Sequence, residues 1–214
     1  MKKIICALIL SGTLVFISFI PTQLRFPKNR KPQRTALTVS TSSLLRKPDY
    51  SQYKTPDALG KMFPVISGET LAGTTKTIPA DTKGKYTLIA MAYSSDAEQD
   101  LNTWLNPAYN KFIAKTGMFD SEYDVNIYFI PMFSGVNIAT ANTIKKRMKE
   151  EIEKGAQGYV MFYKGEISSY KKELELVQKD TPYIFLLDKE GKIIYSTNGI
   201  YSDEKMEAIE DKLK

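Results

Sequence analysis

A short polar sequence follows an apolar run near the middle of the chain and contains Ser94, Ser95, Asp96 and Gln99. The run before it, Tyr86–Tyr93, is nearly all apolar, which predicts a buried β-strand. Apolar residues at helical spacing follow the polar turn. A strand that feeds a helix through a short turn places that turn at the carboxyl end of a sheet, where open α/β proteins bind ligands. One interpretation of Ser94, Ser95 and Asp96 is therefore a hydrogen-bonding site for an anion or a peptide terminus at a helix N-terminus.

A purely structural interpretation of the same residues stays open. Ser95 and Glu98 have the spacing of a capping box, with Ser95 as the N-cap, and such a cap contributes about 1 kcal/mol. Asp96, Glu98 and Asp100 alternate along the helix, so they do not face one another and predict no acid/base pair. Trp104 lies on the apolar stripe of this helix, which predicts a core position.

Two residue types that carry much enzyme chemistry are scarce. The chain has no histidine, and its one cysteine, Cys6, lies in an apolar N-terminal run. The rest of the chain therefore has no imidazole, no thiolate nucleophile and no Cys/His zinc site. We expect no metal and no cofactor, and we assign no catalytic residue.

The formal charge of +6 is concentrated near the N-terminus. Residues 1–60 contain ten of the 30 basic residues and two of the 24 acidic ones, which leaves 20 basic and 22 acidic residues in 61–214. A nucleic-acid partner requires a basic face on the folded part. The sequence therefore predicts no nucleic-acid binding.

The N-terminal segment has the pattern of an export signal. Lys2 and Lys3 precede the uncharged run Ile4–Ile20, so residues 1–21 are predicted to be a cleaved signal peptide or a retained membrane anchor. Residues 22–60 are basic and contain several prolines, which predicts a linker. The domain is expected to span residues 61–214. The protein is expected to be exported to a periplasmic or other extracytoplasmic location, anchored through residues 4–20 if that run is retained.

The remaining chain alternates predicted strands and helices. Helices are predicted to begin at Ser95, to span residues 140–154, to lie near Tyr170 and to follow Ser202, with Pro107 interrupting the first. Strands are predicted at residues 62–66, 71–78, 86–93, 125–133, 159–163, 183–187 and 192–196. This order predicts an α/β fold, with a central mixed sheet flanked by helices on both faces and an N-terminal β-hairpin.

Two segments, GKYTLIAMAYSS and TPYIFLLDKEGKIIYSTNG, resemble thioredoxin-fold proteins of the redoxin and peroxiredoxin type. Thr181-Pro182 stands where that family carries its cis-proline. The resemblance implies a thioredoxin-like fold, in which the residue before this proline offers backbone groups to an extended peptide. The family's two active-site cysteines correspond to Asp96 and Gln99, so thiol–disulfide exchange and thiol peroxidase chemistry are not expected.

Three further segments, FPVISGETLAG, TWLNP and FLLDKEGKIIYSTNG, resemble the thioredoxin-like family of mitochondrial ATP-synthase Fo-sector assembly factors and its bacterial relatives. The chain departs from that family at Ile194-Tyr195, where the family has arginine and tryptophan. The resemblance implies a redox-inactive module that binds a protein partner and assists the assembly of a membrane complex. The residues assigned to partner binding are Ser94, Ser95, Asp96, Thr181 and Pro182.

Two other functions stay open at the level of sequence. The chain could be an oxidoreductase-family protein that acts with a partner's thiols or through an unrecognised cysteine-free activity. It could also be a purely structural accessory, with no ligand at the predicted turn. Because the domain lacks both cysteine and histidine, binding is favoured over catalysis.

Overall fold

The computed structural model describes residues 54–118 and 122–214. The predicted anchor and the linker up to residue 53 lie outside these described residues. Within them, no helix is both long enough and apolar enough to cross a membrane.

Seven strands form one mixed sheet. They are β1 (Ile66–Thr70), β2 (Thr75–Ile78), β3 (Tyr86–Ala92), β4 (Val125–Phe133), β5 (Met161–Lys164), β6 (Tyr183–Leu187) and β7 (Ile193–Asn198). Their order across the sheet is β2-β1-β5-β4-β3-β6-β7. β3, β4 and β5 are parallel neighbours, whereas β6 is antiparallel to β3, and β7 to β6. This is the thioredoxin-like α/β fold that the sequence predicts.

In the described part of the chain, four α-helices accompany the sheet. They are α1 (Ser95–Tyr109), α2 (Ile138–Glu151), α3 (Ser168–Glu173) and α4 (Asp203–Glu210). Pro107 lies inside α1, and the helix continues past it into a π-helical turn, Asn110–Ala114. Pro107 therefore does not end the helix.

β3 is almost entirely apolar because both of its faces are covered. Leu88 and Ala90 join the core beneath α1, α2 and α4, while Ile89 and Met91 join the opposite core, which includes Phe63 and residues of α3. A strand buried on both faces reads as a continuous apolar run rather than as an alternating one. The prediction of helices on both faces is confirmed.

The N-terminal hairpin is confirmed, but its strands lie later in the chain than expected. Ser67–Thr70 has the composition of a turn, yet it forms most of β1, and the turn follows at residues 71–74. The reason is the close packing of β1 on β5. A Cβ atom added at Gly68 would lie 2.5 Å from the carbonyl oxygen of Phe162, so glycine at this position permits the strand contact.

The stretch before the hairpin runs along the outer edge of β7. Gly60 donates its backbone N–H to the Ile193 carbonyl at 2.8 Å, and Ile193 donates to the Lys61 carbonyl at 2.9 Å. Further along, the Asn198 side chain donates to the Lys54 carbonyl at 2.9 Å. The predicted domain boundary at residue 61 thus falls within a stretch that packs against the domain.

Candidate functional site

The turn between β3 and α1 is capped by Ser94, not by Ser95. Ser94 has an extended backbone (φ −142°), and its hydroxyl oxygen accepts a hydrogen bond from the Ala97 N–H at 3.2 Å. Ser95 is already helical and exposed. The predicted assignment of Ser95 as N-cap is wrong, because β3 ends at Ala92, one residue earlier than predicted, and the start of α1 shifts with it.

The residues 174–180, here called the capping loop, cover the carboxyl end of β3 beside this turn. Ser94 donates its hydroxyl hydrogen to the Lys179 carbonyl at 2.9 Å. The hydroxyl of Tyr93 lies 2.7 Å from the Gln178 carbonyl, and that of Tyr183 accepts the Gln178 N–H at 2.6 Å. The two tyrosine rings stack nearly parallel, 6.4 Å apart. The capping loop is therefore held at several points.

Thr181 and Pro182 lie beneath the surface. Both residues are buried, and the Pro182 carbonyl accepts a hydrogen bond from the Gly199 N–H at 3.0 Å. Within residues 54–118 and 122–214 the cis peptide bond is Ile78–Pro79, so Thr181–Pro182 is trans, unlike the family position that it resembles. The Thr181 hydroxyl is buried without a hydrogen-bond partner among the described residues. Of the five predicted binding residues, Ser95 and Asp96 are the exposed ones.

A groove runs between α1 and α2 and begins beside Ser94. Its first part is a cleft of about 70 Å³ whose walls include Ser94, Ser95, Glu98, Asn137, Thr140 and Ile144. Its second part is an adjoining apolar depression of about 10 Å³ whose walls include Leu101, Leu105, Phe129, Met148, Ile152 and Val160. Glu98 and Pro131 line both parts. We call this feature the α1–α2 groove.

Glu98 is the one charged side chain among the residues that line the described groove. Burial raises the pKa of this carboxyl above its ordinary value, and the positive charge of Arg147 acts weakly in the opposite direction. Sequence reasoning assigned Glu98 to a capping box and did not identify the groove. No local signal could have revealed it, because α2 begins 40 residues after Glu98 in the chain.

The TWLNP motif holds the segment after β7 rather than contacting a ligand. Trp104 is fully buried and donates its indole N–H to the Gly199 carbonyl at 3.0 Å, which confirms its predicted core position. The Thr103 hydroxyl accepts the Tyr201 N–H at 2.9 Å. From the other side, the Lys205 ammonium donates to the carbonyls of Asn198 and Ile200 at 2.7 and 2.8 Å. These bonds dock the segment 198–201 between α1 and α4.

The start of α1 and the tyrosines beside it present hydrogen-bonding groups at this end of the sheet. Asp96 and Gln99 occupy the first two turns of α1, where a thiol would be activated by the helix N-terminus. Burial raises the pKa of both Tyr93 and Tyr183, so their hydroxyls stay neutral and serve as hydrogen-bonding groups. Within the part of the chain that the structure describes, no cluster of acidic, histidine or cysteine side chains could hold a metal ion.

The family model described as "ATP10 protein" matches residues 47–213. No curated protein matches the chain. Among solved structures, an uncharacterised conserved protein from Geobacillus kaustophilus is 16% identical with a TM-score of 0.50, covering 75% of this chain and 85% of that one. At this identity the likeness supports the fold alone.

Two further structures are similar at lower TM-scores. The pneumococcal exposed lipoprotein thioredoxin from Streptococcus pneumoniae is 13% identical with a TM-score of 0.49, covering 70% of this chain and all (100%) of that one. StoA from Bacillus subtilis is 17% identical with a TM-score of 0.43, covering 71% of this chain and 97% of that one.

Proposed function

The chain belongs to the ATP10 protein family of ATP synthase assembly factors, and we propose that it is a redox-inactive assembly factor that binds a protein component of a membrane complex. The observation that carries the proposal is the family match over residues 47–213. ATP synthase is the complex that the family points to. The thioredoxin-like fold supplies the scaffold, and the assembly role follows from the family.

The redox-inactive part of the proposal is supported by the residues at the start of α1. Thiol–disulfide exchange proceeds by attack of a thiolate on a disulfide. The chain holds one cysteine, Cys6, which precedes the domain, and Asp96 and Gln99 occupy the positions of the family cysteines. Direct exchange at this helix N-terminus therefore has no nucleophile.

The partner is proposed to bind at the end of the sheet where the five predicted residues lie. Ser95 and Asp96 are accessible there, and two exposed apolar side chains extend the surface, Val136 (89% exposed) and Val177 (71%). Ser94 is engaged by the capping loop. Thr181 and Pro182 would reach a partner only after the capping loop moved aside.

The proposed location is extracytoplasmic, at a membrane. The support is the uncharged run 4–20 behind Lys2 and Lys3, together with the basic linker that follows. Residues 1–21 are proposed as the export signal or anchor and residues 22–60 as the linker, with the part from Lys54 onward packed on the domain. N-terminal sequencing of the mature protein distinguishes a cleaved signal from a retained anchor.

Deletion of the gene in the source organism, followed by rescue with variants, tests this function. We expect deletion to lower the amount of assembled ATP synthase in membranes, measured on native gels, and the full chain to restore it. Cys6→Ser, which leaves the chain without any thiol, should restore it equally, and purified protein should reduce neither insulin nor peroxide. Ser95→Trp with Asp96→Arg should rescue poorly, while Lys83→Glu, a distant exposed control, should rescue fully.

Two results would refute the proposal. Unchanged ATP synthase after deletion would remove the assembly role. Failure of both Cys6→Ser and Cys6→Ala at normal protein levels would show that the thiol is required, and the redox-inactive assignment would be wrong.

A further inference from the structure

We propose that the α1–α2 groove binds an apolar helix that carries one basic side chain, with Glu98 as the counterion of that side chain. The inference rests on the proposed function, since it assigns the membrane-complex partner a chemistry and a binding surface. The groove lies on the α2 side of α1, and its walls include neither Thr181 nor Pro182.

The size of the groove favours side chains over a free small molecule. Pockets for small ligands usually measure roughly 300–1,000 Å³. The two parts of the groove measure about 70 and 10 Å³. Such depressions suit the projecting side chains of a helix that lies across them, as in ridge-into-groove and helix-in-groove contacts.

The two parts of the groove differ in their lining: the cleft beside Ser94 is largely polar, whereas the adjoining depression is largely apolar. Leu105 and Ile152 are partly buried at the rim, and Phe129 and Met148 form the floor. Two exposed apolar side chains, Val136 (89% exposed) and Ile138 (41% exposed), flank Asn137 of the cleft in the sequence. An apolar depression between two helices is the kind of surface that an apolar helix covers.

Glu98 determines the charge of the expected partner. Its carboxylate is about half buried, and the described residues form no hydrogen bond or ion pair with it. The positive charge of Arg147 lowers the pKa of this carboxyl, but burial, which raises the pKa, has the larger effect. Arg147 itself is largely exposed and lies 3.7 Å from the Glu151 carboxylate. A carboxylate in apolar surroundings is costly when it is unpaired, and its cost rises when a partner excludes the remaining water. A basic side chain on the partner would remove that cost.

The test uses the full chain and two synthetic probes. The probes are fluorescein-labelled, 18-residue Leu/Ala helical peptides in the same mild detergent, identical except for a central Arg or a central Gln. We expect the wild-type chain to bind the Arg peptide on the order of tenfold more tightly, as a charge-assisted hydrogen bond predicts. Glu98→Gln should bring the two affinities together. Glu151→Gln, which removes a nearby exposed carboxylate, should leave the ratio unchanged.

A second variant addresses the groove independently of charge. Thr140 is exposed on the wall of the cleft, so Thr140→Trp should fill the cleft and weaken both peptides without disturbing the core. Equal affinities of the wild type for the two peptides, or a ratio unchanged in Glu98→Gln, would overturn the proposal. A dimer in solution that Thr140→Trp converts to monomers would also overturn the proposal, because the groove would then bind a second copy of the chain.

The results separate this inference from the proposed function. If deletion lowers assembled ATP synthase but the Arg peptide is not preferred, the groove assignment is wrong and the assembly role stands. If the Arg preference depends on Glu98 but deletion leaves ATP synthase unchanged, the groove assignment stands and the assembly role is wrong.

Discussion

Lys205 and Trp104 show how single side chains organise the segment after β7. Each donates to backbone carbonyl oxygens of that segment, Trp104 to Gly199 and Lys205 to both Asn198 and Ile200. Carbonyl groups at the end of a strand have no ladder partner and need such donors when they are removed from water. Burial lowers the pKa of the Lys205 ammonium group, because it removes the charge from water. The two hydrogen bonds offset the free-energy cost of that desolvation.

Lys205→Met tests this role. The methionine keeps the apolar stem but removes both hydrogen bonds, so we expect the free energy of unfolding to fall by about 1–3 kcal/mol. Urea denaturation of the full chain measures it. Lys83→Met, at an exposed position, is the matched control and should change the value little. Equal stability of the two variants would contradict the role of Lys205.

Tyr170 predicts a loss of stability at alkaline pH. Burial, helped by the neighbouring Tyr163 hydroxyl, raises the pKa of Tyr170 to about 12, and its hydroxyl donates to the Val65 carbonyl at 2.8 Å. The ordinary tyrosine value is about 10, so the unfolded chain releases this proton first. The contribution is therefore complete below pH 10 and is lost as the pH rises through 12.

The measurement for Tyr170 is the free energy of unfolding at several pH values between 8 and 12. Tyr170→Phe should be less stable than the wild type at pH 8, and its stability should fall less steeply above pH 10. Other buried tyrosines contribute to both curves, so the difference between the curves is the quantity of interest. Parallel curves would show that Tyr170 is not responsible.

At the scale of elements, the start of α1 links the helix to the capping loop. Ser94 accepts a hydrogen bond from the Ala97 N–H and donates one to the Lys179 carbonyl. The same residue therefore caps the helix and fixes the loop that covers Thr181. A thioredoxin-like fold commonly uses this turn for chemistry, whereas here the turn is engaged by the chain itself.

Alanine substitutions at Ser94 and at Ser95, made one at a time, test which serine is the N-cap of α1. Ser94→Ala should lower the free energy of unfolding by about 1–2 kcal/mol, through loss of the N-cap and of the loop bond. It should also speed hydrogen exchange in the capping loop. Ser95→Ala should leave both quantities near the wild-type values. If Ser95→Ala lowered the free energy of unfolding more than Ser94→Ala does, Ser95 would be the N-cap, as the sequence predicts.

At the scale of the whole molecule, the stretch 54–61 closes the sheet edge and is tied to the capping loop. The Glu175 carboxylate lies 3.4 Å from the Asp57 N–H and pairs with Lys54 and Lys61 at 3.6 and 3.4 Å. Exposed edge strands are templates for unwanted pairing, and a covering segment prevents it. The part of the chain that leads from the predicted anchor is thus joined to the proposed binding end.

Combined Ser196→Ala and Asn198→Ala should loosen this stretch. The two side chains donate to the Pro56 and Lys54 carbonyls at 2.8 and 2.9 Å. We expect trypsin to cleave the full chain after Lys54 faster than in the wild type, because proteolysis follows local opening. Ser67→Ala, whose hydroxyl bonds to Thr77 on the exposed hairpin, is the control. Unchanged cleavage would show that these bonds do not hold the stretch.

Continuous runs of apolar residues predicted most of the strands in the sheet. β4 and β6 have the predicted bounds, and the helix after Ser202 begins where its cap predicts. These elements were predictable because burial on both faces requires a continuous apolar run, and because a cap is a local hydrogen bond. The sequence also establishes directly that residues 61–214 contain no histidine and no cysteine.

Contacts between distant segments decided the rest. Ser94 rather than Ser95 is the N-cap because the end of β3 and the position of Lys179 place it there, 85 residues from its loop partner in the chain. Thr181 and Pro182 are covered because the capping loop folds over the end of the sheet. Glu98 lines a groove because α2 packs beside α1. These features depend on contacts between residues that are far apart in the sequence. The sequence pattern does not specify which distant residues come into contact, so these features follow from the tertiary structure.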